Sequence, residues 1–163
     1  QIFAKSFSMA NKRVFIETPY FLPPESLVTA LQSAALSGVD VRLILPRKSD
    51  AVLTLWSTFS YISEMLKSGV KVYFYQPGFI HSKVAIVDDA VSFVGSANMD
   101  FRSFEQNFEL NTIVYDEKTT SQLIEMFEND LANSEQVSEV EWEKRSNLNK
   151  IMESIARLCS PLL

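Results

Sequence analysis

His81-Ser82-Lys83-Val84-Ala85-Ile86-Val87-Asp88-Asp89-Ala90-Val91-Ser92-Phe93-Val94-Gly95-Ser96-Ala97-Asn98 is the stretch on which the reading of this chain turns. Its pattern is H-x-K, four residues, D, six residues, then G-S-x-N. Two apolar runs lie inside it, Lys83 to Val87 and Val91 to Val94, and they predict adjacent short strands with Asp88-Asp89 as the turn. Residues two apart in a strand share a face, so His81 and Lys83 are expected to project together, an imidazole beside an ammonium. Gly95-Ser96-Ala97-Asn98 closes the second strand. There a missing Cβ admits a ligand close to the backbone, and small polar groups supply hydrogen bonds. An imidazole, a cation and an amide on one rim suit an anionic centre that must be held and attacked.

Outward from this core, strands and helices alternate. Toward the N-terminus, Ile2 to Ala10 has helical spacing, Val14 to Thr18 reads as a strand, and Phe21-Leu22-Pro23-Pro24 reads as a loop because of its prolines. Glu25 to Ser37 is an amphipathic helix stopped by Gly38, and Val39 to Leu45 is a buried strand halted by Pro46. Arg47-Lys48-Ser49-Asp50 follows as a polar loop at the strand end, the edge where α/β sheets tend to bind ligands. A long helix over Val52 to Ser68 ends at Gly69, and a strand runs from Val70 to Tyr75. Past the motif, the pattern predicts a short helical turn over Asp100 to Phe104 and a strand over Phe108 to Val114. Helices are expected over Glu117 to Ser134, Ser138 to Lys144 and Asn147 to Leu158. The sum is an α/β layered domain spanning 1–163, with C-terminal helices from about 117. The two motif strands are joined too tightly for a parallel crossover, so the sheet is expected to be mixed, with helices on both faces.

The bulk numbers narrow the function. A length of 163 residues gives one domain with a proper core, and 47% apolar with 21% charged residues is ordinary globular composition. A net charge of −5 argues against a broad electrostatic grip on nucleic acid. The single cysteine, Cys159, allows neither an internal disulfide nor a multi-cysteine metal site. No run of 18 or more apolar residues is present, and Gln1 entering a helix mid-stream suggests a fragment of a longer protein.

The spacing from His81 to Asn98 resembles the HKD signature of the phospholipase D superfamily. Thr18-Pro19-Tyr20-Phe21-Leu22-Pro23, Ser37 to Arg42, Ser82 to Phe104, Asn107-Phe108-Glu109 and Arg157 to Pro161 extend the likeness over essentially the whole chain, to the C-terminal half of bacterial cardiolipin synthases. The resemblance implies a phospholipase-D-like fold and phosphatidyl transfer between two phosphatidylglycerol molecules through a phosphohistidine, with glycerol released. It implies no metal and no cofactor.

Imidazole is a competent nucleophile toward phosphorus, and its protonated form can donate to a departing alkoxide. Lys83 and Asn98 suit the non-bridging oxygens, and the resemblance gives His81, Lys83 and Asn98 these roles. A carboxylate should orient the imidazole. Asp88 and Asp89 lie in the turn beyond the strand, so Asp88, though part of the signature and of the candidate catalytic set, suits a structural role. Glu109 is the stronger orienter, matching the family's downstream Asn-Phe-Glu. Gly95, Ser96, Tyr20 and Arg102 are the candidate substrate-binding residues, Arg102 equally suiting a structural ion pair.

His81 is the chain's one histidine, whereas phosphohistidine chemistry needs a second group to protonate the leaving oxygen. The superfamily pairs two HKD halves, in one chain or across a homodimer, so this chain is expected to be half a site, with His81 expected as the general acid and base, an order of the two histidines that the sequence itself does not set. The implied partners are phosphatidylglycerol and other anionic phospholipids, the other HKD half and a membrane surface, not nucleic acid. The implied location is the bacterial cell membrane, through anchors upstream of this segment. The competing readings are a phospholipase D or homodimeric nuclease of the same superfamily, and a non-catalytic module that binds anionic lipid.

Overall fold

Alternation along the first strand decides how the layers stack. In β1 (Arg13–Glu17), Val14 and Ile16 join one buried cluster while Phe15 joins another. The sheet is therefore apolar on both faces and covered on both, as parallel-containing sheets are. The structure, a computed structural model, describes residues 1–49 and 51–160. Asp50 of the expected polar loop and Pro161 of the closing segment lie outside the described residues.

The elements are α1 (Ile2–Ser8), β1, β2 (Phe21–Leu22), α2 (Glu25–Leu36), β3 (Asp40–Pro46), α3 (Val52–Lys67), β4 (Lys71–Tyr75), β5 (Val84–Val87) and β6 (Val91–Gly95). They continue with β7 (Met99–Asp100), α4 (Phe101–Glu105), β8 (Asn111–Tyr115), α5 (Glu117–Ala132), β9 (Ser134–Gln136), α6 (Glu139–Glu143) and α7 (Asn147–Leu158). The main sheet has the order β8-β6-β5-β1-β3-β4-β9. β1, β3 and β4 run parallel, while β5, β6, β8 and β9 pair antiparallel to their neighbours. The sheet is mixed, as the tight Asp88-Asp89 connection requires.

On one face, Phe3 and Phe7 of α1, Leu27 and Leu31 of α2, and Ile62 and Met65 of α3 pack on Val14, Ile16, Leu43, Val72 and Phe93. On the other, Phe127 of α5 stacks on Phe15 with centroids 4.6 Å apart and planes at 14°. Burying such a ring is worth about 1.5–3 kcal/mol. Gly38 and Gly69 end α2 and α3 at φ +91° and +88°, the left-handed region their sequence positions anticipate.

Three expectations are corrected. Phe21–Leu22, read as a loop for its prolines, forms a two-residue parallel bridge with Met99–Asp100, because the prolines begin only at position 23. The strand expected over Phe108 to Val114 begins at Asn111, since Phe108 and Leu110 are exposed rather than alternating with the core. The helix expected to reach Ser134 stops at Ala132, and Ser134–Gln136 adds an antiparallel edge strand to β4. That strand's sequence, Ser-Glu-Gln, carries no strand signal, and its pairing with Tyr73 to Tyr75 is tertiary.

Candidate functional site

Strand register brings the polar residues of the motif to one edge of the sheet. β1 ends at Glu17 opposite Val84, Val84 pairs with Val94, and Gly95 pairs with Asn111. Thr18, Lys83, Gly95-Ser96 and Leu110 therefore leave the sheet together. Asp88 is at the far end of the same strand, beyond the Val87–Val14 pair. Its carboxylate accepts the backbone N–H groups of Asn11, Lys12 and Arg13 at 3.1, 2.8 and 3.1 Å, and its own φ is +55°. A residue that closes the β5–β6 turn and pins the entry to β1 is remote from the His81 end of the strand. These contacts favour the structural role of Asp88 over a place in the catalytic set.

β5 begins at Val84, so His81 to Lys83 form the approach to the strand instead of its first residues. The Lys83 ammonium donates to the His81 carbonyl at 3.0 Å, and the Gly95 N–H donates to the Lys83 carbonyl at 3.3 Å, which ties the approach to the end of β6. Burial lowers the Lys83 pKa from its ordinary value, while the nearby Glu109 and Asp100 carboxylates favour its charged form. The His81 ring packs 5.3 Å from that of Phe79, which in turn lies 6.2 Å from Tyr20, so an aromatic row runs along the rim.

Gly95 is needed at the crossing. A Cβ there would meet the Leu110 carbonyl, the Asn111 side chain and, at 2.7 Å, Asn111 Cα. The next residue makes the central hydrogen bonds: the Ser96 hydroxyl donates a short bond to Glu109 and accepts the Leu110 N–H at 3.0 Å. Asn107 donates to the other Glu109 oxygen at 3.3 Å. Glu109 is thus brought beside Lys83 and Ser96, but no hydrogen bond joins it to His81 among the described residues. Asn98 is fixed by its backbone N–H donating to the Ser103 hydroxyl at 3.1 Å, and Ser103 is held by Asp100, the cap of α4, at 2.7 Å. The buried Thr18 hydroxyl links the two rims, accepting the Met99 N–H at 3.1 Å and donating to the Tyr20 carbonyl at 2.8 Å.

Tyr20, Asn98 and Arg102 line a cleft of about 280 Å³ with Thr54, Asp100 and Asn107. Arg102 forms no ion pair among the described residues, so its expected acidic partner is absent there. Thr54, a polar residue in an apolar-spaced helix with no motif around it, carries no signal in the sequence, and neither does the Ser103 hydroxyl that holds the Asn98 backbone. Among the described residues, no group of three or more histidine, cysteine or acidic side chains is arranged to hold a metal ion. No helix there is long and apolar enough to cross a membrane.

The arrangement is that of a phospholipase-D-type α/β domain. Its backbone matches phosphatidylserine synthase of Haemophilus influenzae Rd KW20, with a TM-score of 0.76 and 17% identity over 98% of this chain and 43% of that one. It also matches Nuc of Salmonella typhimurium, a phospholipase D family member, with a TM-score of 0.72 and 20% identity over 83% of this chain and 88% of that one. The chain belongs to the family described as "Cardiolipin synthase, PLD-like domain", whose model matches residues 3–131. It is 47% identical to cardiolipin synthase 1 of Staphylococcus aureus (strain MRSA252) over 161 residues, 99% of this chain and 33% of the relative. It is 44% identical, with the same coverage, to the major cardiolipin synthase of Bacillus subtilis (strain 168). The chain thus spans about a third of the length of these relatives.

Proposed function

We propose that this chain is the C-terminal catalytic half of a cardiolipin synthase, moving a phosphatidyl group from one phosphatidylglycerol to the glycerol hydroxyl of another. The observation that carries the proposal is the convergence of His81, Lys83, Ser96–Glu109 and Asn98 at one sheet edge, within a chain holding one histidine. One imidazole serves half of a double displacement. A second histidine, from the other HKD half, attacks phosphorus, forming the P–N bond as the P–O bond to glycerol breaks, and the His81 imidazolium gives its proton to the departing oxygen. His81, now neutral, takes the proton of the incoming glycerol hydroxyl as that oxygen displaces the histidine from phosphorus. Lys83 and Asn98 hold the non-bridging oxygens. Glu109, held by Ser96 and Asn107, has its charge beside Lys83, and the resemblance gives it the part of orienting the imidazole.

Phe108, Leu110 and Val94 are exposed beside these groups, an apolar rim that suits a packed second half. The second half in turn supplies the missing histidine. The substrates, like those named for the relatives' products, are membrane phospholipids, so the site works at a membrane surface.

A phosphatidyl p-nitrophenyl ester tests the chemistry, because its leaving group needs no acid. Native-length protein carrying His81→Ala is expected to release about one nitrophenolate per site in a burst and then stall for want of the base. Absence of release from both parent and variant would overturn the covalent mechanism, and release by the parent alone would make His81 the nucleophile.

A further inference from the structure

The cleft lined by Tyr20, Thr54, Asn98, Asp100, Arg102 and Asn107 holds more open polar groups than phosphate binding uses. Its volume of about 280 Å³ is below the range of sites for drug-sized ligands, so it takes a small group. The named lining residues are all polar, and burying an acyl chain against Thr54, Asn98 and Arg102 would strand their hydrogen-bonding atoms. Asn98 Oδ1 is buried with no hydrogen-bond partner. Neither the Thr54 hydroxyl nor the Arg102 guanidinium makes a side-chain hydrogen bond or ion pair among the described residues. Asp100 uses one oxygen to cap α4, and its charge acts on Lys83 together with that of Glu109, so the cleft opens beside the reacting edge.

These groups want different things. Arg102 has donors only, and takes acceptor oxygens. Asn98 Oδ1 and the Asp100 carboxylate are acceptors, which a phosphodiester, lacking any O–H, cannot satisfy. An alcohol bearing several hydroxyls both donates and accepts and meets all three at once. Thr54, reaching in from the first turn of α3, can do either.

We propose that this cleft is the acceptor subsite, which binds the glycerol headgroup of the second phosphatidylglycerol and, through Thr54, favours that alcohol over water. The proposal rests on the transferase reading above. With the headgroup seated, its terminal hydroxyl oxygen forms the new P–O bond as the P–N bond of the phosphohistidine breaks, and its proton goes to His81. When water stands there instead, the same step yields phosphatidic acid. The cleft therefore sets the partition between the two products.

The test is the ratio of cardiolipin to phosphatidic acid formed by the native-length protein on phosphatidylglycerol vesicles, together with the KM for free glycerol in the reverse cleavage of cardiolipin. A product ratio does not depend on how much of a variant is folded. Thr54→Val, which keeps the shape and removes the hydroxyl, is expected to lower the ratio about five-fold and raise the glycerol KM by a similar factor, the change that one ordinary hydrogen bond carries. Thr54→Ser is expected to restore both. A ratio and a glycerol KM that stay at parental values in Thr54→Val overturn the subsite and leave the transferase reading standing. A parent that makes neither product overturns both.

Discussion

Glu17 offers a test of the packing directly behind the site. It ends β1, is 5% exposed, and has one carboxyl oxygen, Oε1, buried with no hydrogen-bond partner. Loss of water, and then the Asp130 carboxyl of α5, raise its pKa from an ordinary 4.5 to about 7, while the Ser82 hydroxyl pulls the other way. Arg42 of β3 pairs with Asp40 and Glu128, and burial raises the Tyr73 phenol of β4. The folded chain thus keeps the Glu17 proton up to about pH 7, whereas the unfolded chain releases it near 4.5. Between these values the folded state binds more protons, so stability is full below 4.5 and falls as pH rises through 7. At about 1.4 kcal/mol per pH unit, the loss reaches roughly 3 kcal/mol. Glu17→Gln keeps the shape and removes the charge. It should match the parent near pH 4.5 and exceed it by about 3 kcal/mol at pH 8.5, or roughly 6–12 °C in Tm for a chain of this size. Thermal and urea melts of both proteins across that range provide the comparison. Parallel stability profiles would refute the reasoning, because they would mean that Glu17 is ionised in the folded chain.

Further outcomes follow from single contacts. Asp88→Ala removes the acceptor of three backbone N–H groups and should cost about 2–3 kcal/mol in urea melts. Asp88→Asn, which tolerates positive φ, should cost less. Gly95→Ala forces a Cβ against Leu110 and Asn111 of the neighbouring segment, and should both destabilise the chain by at least about 1–3 kcal/mol and abolish turnover; an active, fully stable variant would contradict the close crossing. Arg145 and Glu153 form a nearly buried two-bond pair at 2.9 and 2.8 Å, so Glu153→Ala should cost about 3 kcal/mol by leaving a guanidinium unpaired. The double variant Arg145→Met with Glu153→Leu should recover most of that loss.

Much of the fold was legible because its signals are local. Gly38 and Gly69 marked helix ends, and the apolar runs on either side of Asp88-Asp89 marked the hairpin. The two-residue bridge of Phe21–Leu22 to Met99–Asp100 and the Ser134–Gln136 edge strand were not legible, since each exists only through a partner distant in sequence. The site divides the same way. Ser96 and Glu109 were readable from the motif and its downstream Asn-Phe-Glu, and the structure joins them directly. Asp88 belongs to the signature by spacing, yet only the register of β5 against β1 shows that it faces the chain entry at Asn11 to Arg13. Thr54 and Glu17 carried no pattern at all, and their interest comes from what folding leaves unpaired around them.

The most direct test of the central claim is the product balance of the native-length protein on phosphatidylglycerol vesicles, measured beside His81→Ala. The parent is expected to release one glycerol for each cardiolipin or phosphatidic acid it forms, with cardiolipin the main product, and the variant to form none of the three. Undiminished cardiolipin formation by His81→Ala would contradict that claim.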